Sequence, residues 1–217
     1  MATQDDQSEY LIAPDLSRRG LSRAVDGIDQ DGNERAMSVV EERPLTIFLN
    51  AQEIVTAMTI GDYPEYLALG FLRNQGMLQD DADVTGVSYD EELETVVVRT
   101  ATQTSYEDKL KKKTRTSGCA VGTVFGDMME GLEEVHLPAS LVKTSWLYAL
   151  AAKINRTPSL YLDVGAIHGT VLCCADRPLV YMEDVGRHNA VDKIAGWMVS
   201  EQVSAADKIL YTTGRLT

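Results

Sequence analysis

Cysteine is scarce in this 217-residue chain. There are three, an odd number, two of them adjacent at Cys173-Cys174, and no spacing matches a disulfide framework or a zinc knuckle. That excludes a disulfide-stapled scaffold, fits a reducing compartment and leaves no dedicated metal site. Cations are also few, 20 Lys and Arg against 33 Asp and Glu, for a net charge of -13. Such a balance excludes bulk nucleic-acid binding, which needs many basic contacts to release counterions from phosphates. No apolar run approaches the ~20 residues that span a bilayer, and Met1 to Tyr10 has neither the basic start nor the apolar core of a leader. A cytoplasmic protein with no membrane association is therefore expected. A small phosphate-bearing ligand stays open, because a helix N-terminus and one or two basic groups can hold it on an acidic protein.

What is present is a packed chain: 44% hydrophobic and 24% charged residues are close to the averages of folded globular proteins, enough for one or two domains. Residues 1–38 lack apolar periodicity and are expected to form a flexible N-terminal arm. Pro44 to Leu49 and Ile54 to Met58 flank the turn-prone Asn50 to Glu53 and predict a hairpin. Asp62 stands as an N-cap before Pro64, and Tyr66 to Leu72 continues at helical spacing towards a stop at Gly76. Val84 to Tyr89 and Thr95 to Arg99 predict a second strand pair, so residues 39–137 are expected to form an α+β domain.

A boundary is expected near Leu137. Pro138 and Ser140 then announce a helix in which Val142, Trp146, Leu150 and Ile154 recur every fourth residue. Strands at Ala166 to Cys174 and Leu179 to Val185, a helix from about His188 to Val199 and a strand at Lys208 to Thr213 complete an α/β domain over 138–217. The sequence stops four residues after that strand, which predicts a domain incomplete at its C-terminus. There is no internal repeat, so a solenoid is not expected.

Two places carry candidate chemistry. Cys119 lies in the small-residue stretch Ser117 to Gly122, just after a cationic cluster of Lys109, Lys111, Lys112, Lys113 and Arg115. Nearby positive charge favours the thiolate, the species that attacks a persulfide or disulfide. A buried, inert thiol beside a solvated lysine face is the competing reading, and both stand at this point. Cys173 and Cys174 fall on an apolar strand, point to opposite faces and read as packing residues. The second place is the charged loop Glu183 to Asn189, at a strand-to-helix junction. Backbone N–H groups of Gly186 and its neighbours with Arg187 suit a phosphate, Asp184 or Glu183 suits a base or sugar, and His188 suits proton relay. The structural alternative is that Asp184 caps the helix and Arg187 pairs with Glu183. His168, between Ala166-Ile167 and Gly169, is a further candidate beside small residues.

These segments resemble the FdhD/NarQ family of formate dehydrogenase accessory sulfurtransferases, from about Glu41 to the last residue. The most specific piece is Glu183 to Lys193, EDVGRHNAVDK, supported by Glu42 to Leu45, Glu65 to Leu72, Arg115 to Gly122 and Gly165 to His168. The resemblance implies a sulfur carrier that takes sulfur from a cysteine desulfurase as a persulfide. It would pass the sulfur to the molybdenum cofactor, in its bis(guanine dinucleotide) form, before insertion into formate dehydrogenase. By the same resemblance Cys119 bears the persulfide, and Asp184, Gly186, Arg187, His188 and His168 lie near the guanine nucleotide of that substrate. Room is left for a homodimer. The implied C-terminal fold is cytidine-deaminase-like, a mixed sheet with helices, without deaminase chemistry, since the chain has His188-Asn189-Ala190 where a His-x-Glu start is needed and no Cys-x-x-Cys pair. The chain departs from the pattern at Gly122, where many members have a second cysteine, so sulfur release cannot proceed through an intramolecular disulfide and needs direct attack by the acceptor. That departure keeps a second reading open, a cofactor-binding chaperone without covalent transfer.

Overall fold

The computed structural model describes residues 10–18, 20–78, 84–101, 113–115, 123–125 and 141–215. Along the chain run β1 (Ser22–Ile28), β2 (Glu34–Val40), β3 (Arg43–Leu49), β4 (Gln52–Thr59), α1 (Pro64–Asn74), β5 (Val84–Asp90) and β6 (Thr95–Thr100). They are followed by β7 (Lys113–Arg115), β8 (Thr123–Phe125), α2 (Thr144–Ile154), α3 (Leu160–Asp163), β9 (His168–Cys174), β10 (Arg177–Asp184), α4 (Arg187–Ser200) and β11 (Lys208–Thr212). The protein is α/β.

The first sheet has the order β4-β3-β6-β5, antiparallel except for the parallel β3–β6 pair. Alternation sets its inner face: Leu45, Ile47 and Leu49 of β3 and Val96 and Val98 of β6 are buried and pack with Leu67, Ala68 and Leu72 of α1. The described strands of the second sheet, β10-β9-β11, all pair antiparallel. Its two faces take different helices. Leu172, Val180 and Met182 meet Ile194 and Trp197 of α4, while Val171, Cys173 and Tyr181 meet Leu150 and Ile154 of α2. Burial pushes the Cys173 thiol up to about 12, which keeps it protonated and inert, as its apolar strand suggests.

The expectation of a flexible arm over residues 1–38 is corrected for the described part. β1 and β2 form an antiparallel hairpin in register from Ser22↔Val40 to Ile28↔Glu34, and its turn is held by Asp29 Oδ1, which accepts from the Asp31 and Asn33 amides. Upstream, Leu11 N donates to Leu179 O at 2.7 Å, and Tyr10 and Thr157 share a hydroxyl hydrogen bond of 2.8 Å. Apolar periodicity could not reveal these elements, because a backbone ladder and edge pairing need no apolar face.

Asp62 is a second correction. It does not cap α1: Tyr63 takes the N-cap place at φ 46° with no side-chain cap, and Pro64 opens the helix. Val142 likewise lies outside α2 and is exposed, although Leu150 and Ile154 are buried as the four-residue spacing predicts. The boundary near Leu137 and the helix start at Pro138 and Ser140 lie outside the described residues.

The two sheets are joined through α1 and α4, which cross with their backbones in contact. A Cβ built on Gly70 would stand 2.7 Å from Gly196 N and closer still to Asp192 O, and one on Gly196 would stand 2.9 Å from Gly70 N and closer still to Tyr66 O. Only glycine at both positions permits this approach. At the same seam Asn74 Nδ2 donates to Asp192 Oδ1 at 2.6 Å. Burial pushes the Asp192 carboxyl up to about 7, with the Asn74 bond opposing. The folded protein therefore holds this proton above the pH at which the unfolded chain has released it. The stability this contributes is full below the unfolded value of 3.8 and falls as pH rises towards about 7. Asp192→Asn keeps the acceptor but removes the titration. Between about pH 5 and about pH 8 the wild-type melting temperature should fall relative to that variant by several degrees, on the order of 2 kcal/mol. Parallel melting curves across this range would contradict the assignment.

Candidate functional site

The site is built at one end of the second sheet, where β10 turns into α4. The pairing Asp184↔His168 puts the start of β9 beside the end of β10. The end of β11 closes the third side: Thr213 N donates to Gly169 O and Gly169 N to Thr213 Oγ1, both at 3.0 Å. Gly214 then passes so close that a Cβ there would lie 3.1 Å from Arg187 Cβ and 3.2 Å from His168 Nδ1. His168, Gly186 and Arg187 are thus brought together, and His188 is exposed on the first turn of α4. Gly186 stands at the N-cap in extended backbone, with no side chain capping the helix. Among the described residues, Arg187 Nε is a buried nitrogen with no hydrogen-bond partner, a donor left uncommitted where Arg187 packs beside Gly214.

Beneath the turn lies a charged cluster that the protein buries. Lys193, 0% exposed, spends all three ammonium hydrogens, on Asp184 Oδ2 at 2.6 Å, on Glu183 O at 2.9 Å and on Asp62 Oδ1. Asp184, also 0% exposed, accepts four bonds: Lys193 and the Thr59 hydroxyl (2.5 Å) on Oδ2, Gly186 N (3.1 Å) and Asn189 Nδ2 (3.0 Å) on Oδ1. Asn189 Nδ2 also donates to Met58 O at 2.8 Å, tying α4 to the end of β4. Burial alone would lower the Lys193 value, but the Asp184 and Asp62 carboxylates more than offset it and hold the amine cationic. Burial also pushes Asp62 up, only partly opposed by Lys193, the one cation it shares with the better-satisfied Asp184.

Asp184 is therefore corrected from a ligand contact to a support. Its four acceptor places are filled and no surface is left for a base or sugar. Glu183 is not paired with Arg187: its carboxylate accepts Leu160 N at 2.9 Å and Tyr161 N at 2.7 Å, capping the start of α3. Burial pushes Glu183 up to about 7 against those two amide bonds. Cys119, in segment 116–122 between the paired strands β7 and β8, lies outside the described residues, as do Lys109, Lys111 and Lys112.

Sequence reasoning placed Asn189 in the candidate loop without its supporting role, read Asp62 only as a helix cap, and missed Thr59, Lys193 and Gly214 as parts of the site. One signal was legible: Asn189 and Lys193 sit one helical turn apart on the same face as Ala190, Ile194 and Trp197, which are buried, and a lysine on a buried helix face needs an internal partner. Gly214 had no such signal, since its closeness to His168 arises from strand pairing across 46 residues of chain.

Comparison with known proteins bears on the whole arrangement. The model of the FdhD/NarQ family matches residues 40–217, which takes in both sheets, Cys119 and the turn at Arg187. The chain belongs to the FdhD/NarQ family. Among its relatives, the sulfur carrier protein FdhD of Bacillus subtilis (strain 168) is 29% identical over 182 residues, 82% of this chain and 69% of that protein. The sulfur carrier protein FdhD of Bacillus pumilus (strain SAFR-032) is 26% identical over 186 residues, with the same two shares. A crystal structure described as a formate dehydrogenase accessory protein, from Desulfotalea psychrophila, superposes with a TM-score of 0.68 at 26% identity, covering 90% of this chain and 74% of that one. Among the described residues of this FdhD/NarQ member, no helix is long and apolar enough to cross a membrane.

Proposed function

We propose that this protein is a sulfur carrier in formate dehydrogenase maturation, acting in the cytoplasm. Cys119 bears the sulfur, and the Gly186–His188 turn with His168 holds the guanine nucleotide end of its substrate, the bis(guanine dinucleotide) form of the molybdenum cofactor. The observation that supports this reading is the family match over residues 40–217, a span that includes Cys119 and the turn, together with relatives named sulfur carriers. Arg187 supports it, because its buried, unpartnered Nε is suited to a phosphate oxygen and a charge-assisted bond there is stronger than a neutral one.

Loading is a redox-neutral exchange. The Cys119 thiolate attacks the outer sulfur of a cysteine desulfurase persulfide. A new S–S bond forms at Cys119, the S–S bond of the donor breaks, and the donor cysteine leaves as its thiolate, so the sulfur and its proton end on Cys119. Cys173 is not a stand-in, since its thiol is held protonated by burial.

Intact-protein mass spectrometry after incubation with a cysteine desulfurase and cysteine tests the covalent half. The wild type should gain the mass of one sulfur, and Cys119→Ala should not. A folded wild-type sample that gains none would favour the chaperone reading, in which Gly122 replaces the second cysteine because no covalent step occurs. Calorimetric titration with guanosine diphosphate tests the other half. Arg187→Ala should weaken binding by about tenfold or more, the usual cost of losing a hydrogen bond to a charged partner.

A further inference from the structure

We propose that the buried Lys193 network is a positioning device for the Gly186–His188 turn, and that it serves ligand binding at the expense of stability. The inference rests on the reading that this turn binds the nucleotide phosphate. Two facts of geometry carry it.

First, the network is placed where stability does not call for it. A lysine and two aspartates are taken out of water beside the apolar clusters of the two sheets, and such a charged cluster is commonly no more stabilising than well-packed apolar residues of the same volume. Second, two of its bonds reach the turn itself. Asp184 Oδ1 receives Gly186 N, the residue before the helix, and Asn189 Nδ2, within its first turn. Thr59 and Asp62 hold the other side, so that the end of β4 and the entry to α1 are locked to the same carboxylate and ammonium. The backbone around Asp62 is bent to reach in: Gly61 has φ +81° and Tyr63 φ 46°, the latter unusual for a residue with a side chain. Lys193 and Asp184 do not reach the surface, so each is a positioning residue and neither touches the ligand.

The distinguishing property is that affinity and stability move in opposite directions. Asp62→Leu, Asp184→Leu and Lys193→Met combined replace all three charged groups with apolar side chains of like branching, and remove the Asp184 oxygen that accepts Gly186 N and Asn189 Nδ2. This triple variant should melt no lower than the wild type, yet bind guanosine diphosphate at least tenfold more weakly, with the Gly186 amide exchanging faster with solvent. Thr59→Val provides a milder form of the test should the triple variant not fold. It removes one donor to Asp184 Oδ2 without changing charge, and should weaken guanosine diphosphate several-fold at nearly unchanged melting temperature.

Wild-type affinity in the triple variant, or in Thr59→Val if only that one folds, would overturn the positioning role, provided Arg187→Ala is weakened. If the wild type does not bind guanosine diphosphate, or Arg187→Ala binds as well as wild type, the reading of the turn itself fails and the inference falls with it. A triple variant that folds but loses affinity and stability together would also overturn the proposal, as would a Thr59→Val variant that does so, because the network would then be an ordinary part of the core.

Discussion

Replacing Gly70 or Gly196 with alanine is expected to cost about 3 kcal/mol or more, the upper end for overpacking, because neither helix can yield to the added methyl. The atoms that a Cβ at 70 would strike are the Asp192 carbonyl and Gly196 N, and at 196 they are the Tyr66 carbonyl and Gly70 N. These are backbone, not the ends of flexible side chains, so relief requires moving α1 from α4. Separation would in turn open the Asn74–Asp192 contact and pull Asp62 from Lys193. Gly86→Ala is the control, since a Cβ there meets nothing within 4 Å, and a change within about 0.5 kcal/mol is expected. Denaturant unfolding of the three variants checks this. A Gly70→Ala midpoint equal to that of Gly86→Ala would mean that the helices do not cross as described.

Lys193→Met by itself should be as damaging as its combination with the two aspartate replacements is mild. The single change leaves Asp184 and Asp62 buried with no cation between them, and breaking a buried pair from one side typically costs about 3–5 kcal/mol. It also leaves Glu183 O without its lysine donor. Thermal unfolding near neutral pH should show a large fall in melting temperature, on the order of 10 °C for a chain of this size. Part of it should return at acid pH, where the carboxylates take up protons and no longer demand a counter-charge. A single variant as stable as the wild type at neutral pH would show that Lys193 carries no charge that the aspartates need.

Much of the architecture was legible along the chain. Apolar and β-branched runs between turn signals located β3, β4, β5, β6, β9, β10 and β11, helical spacing located α1, four-residue recurrence located the buried face of α2, and α4 was expected after the charged loop at Glu183 to Asn189. The segment Glu183 to Lys193 stood out as a motif, but its chemistry was legible only in outline. Glu183, Asp184, Asn189, Asp192 and Lys193 are buried and engaged with other protein groups, so most of the charge that marked the motif is structural. Arg187 and His188 remain at the accessible edge.

Residue type and local order sufficed for the family pattern, the acidic balance and the candidate chemistry at Cys119 and Arg187. The tertiary structure alone decided which charges face a ligand and which face each other. Thr59 and Asp62 meet Asp184 and Lys193 across more than a hundred residues of chain, and Gly214 meets His168 across a strand pair. A carboxylate reads the same in sequence whether it points at solvent or at a buried ammonium. Its role is set by desolvation and by the donors around it, and both are created only when distant segments pack.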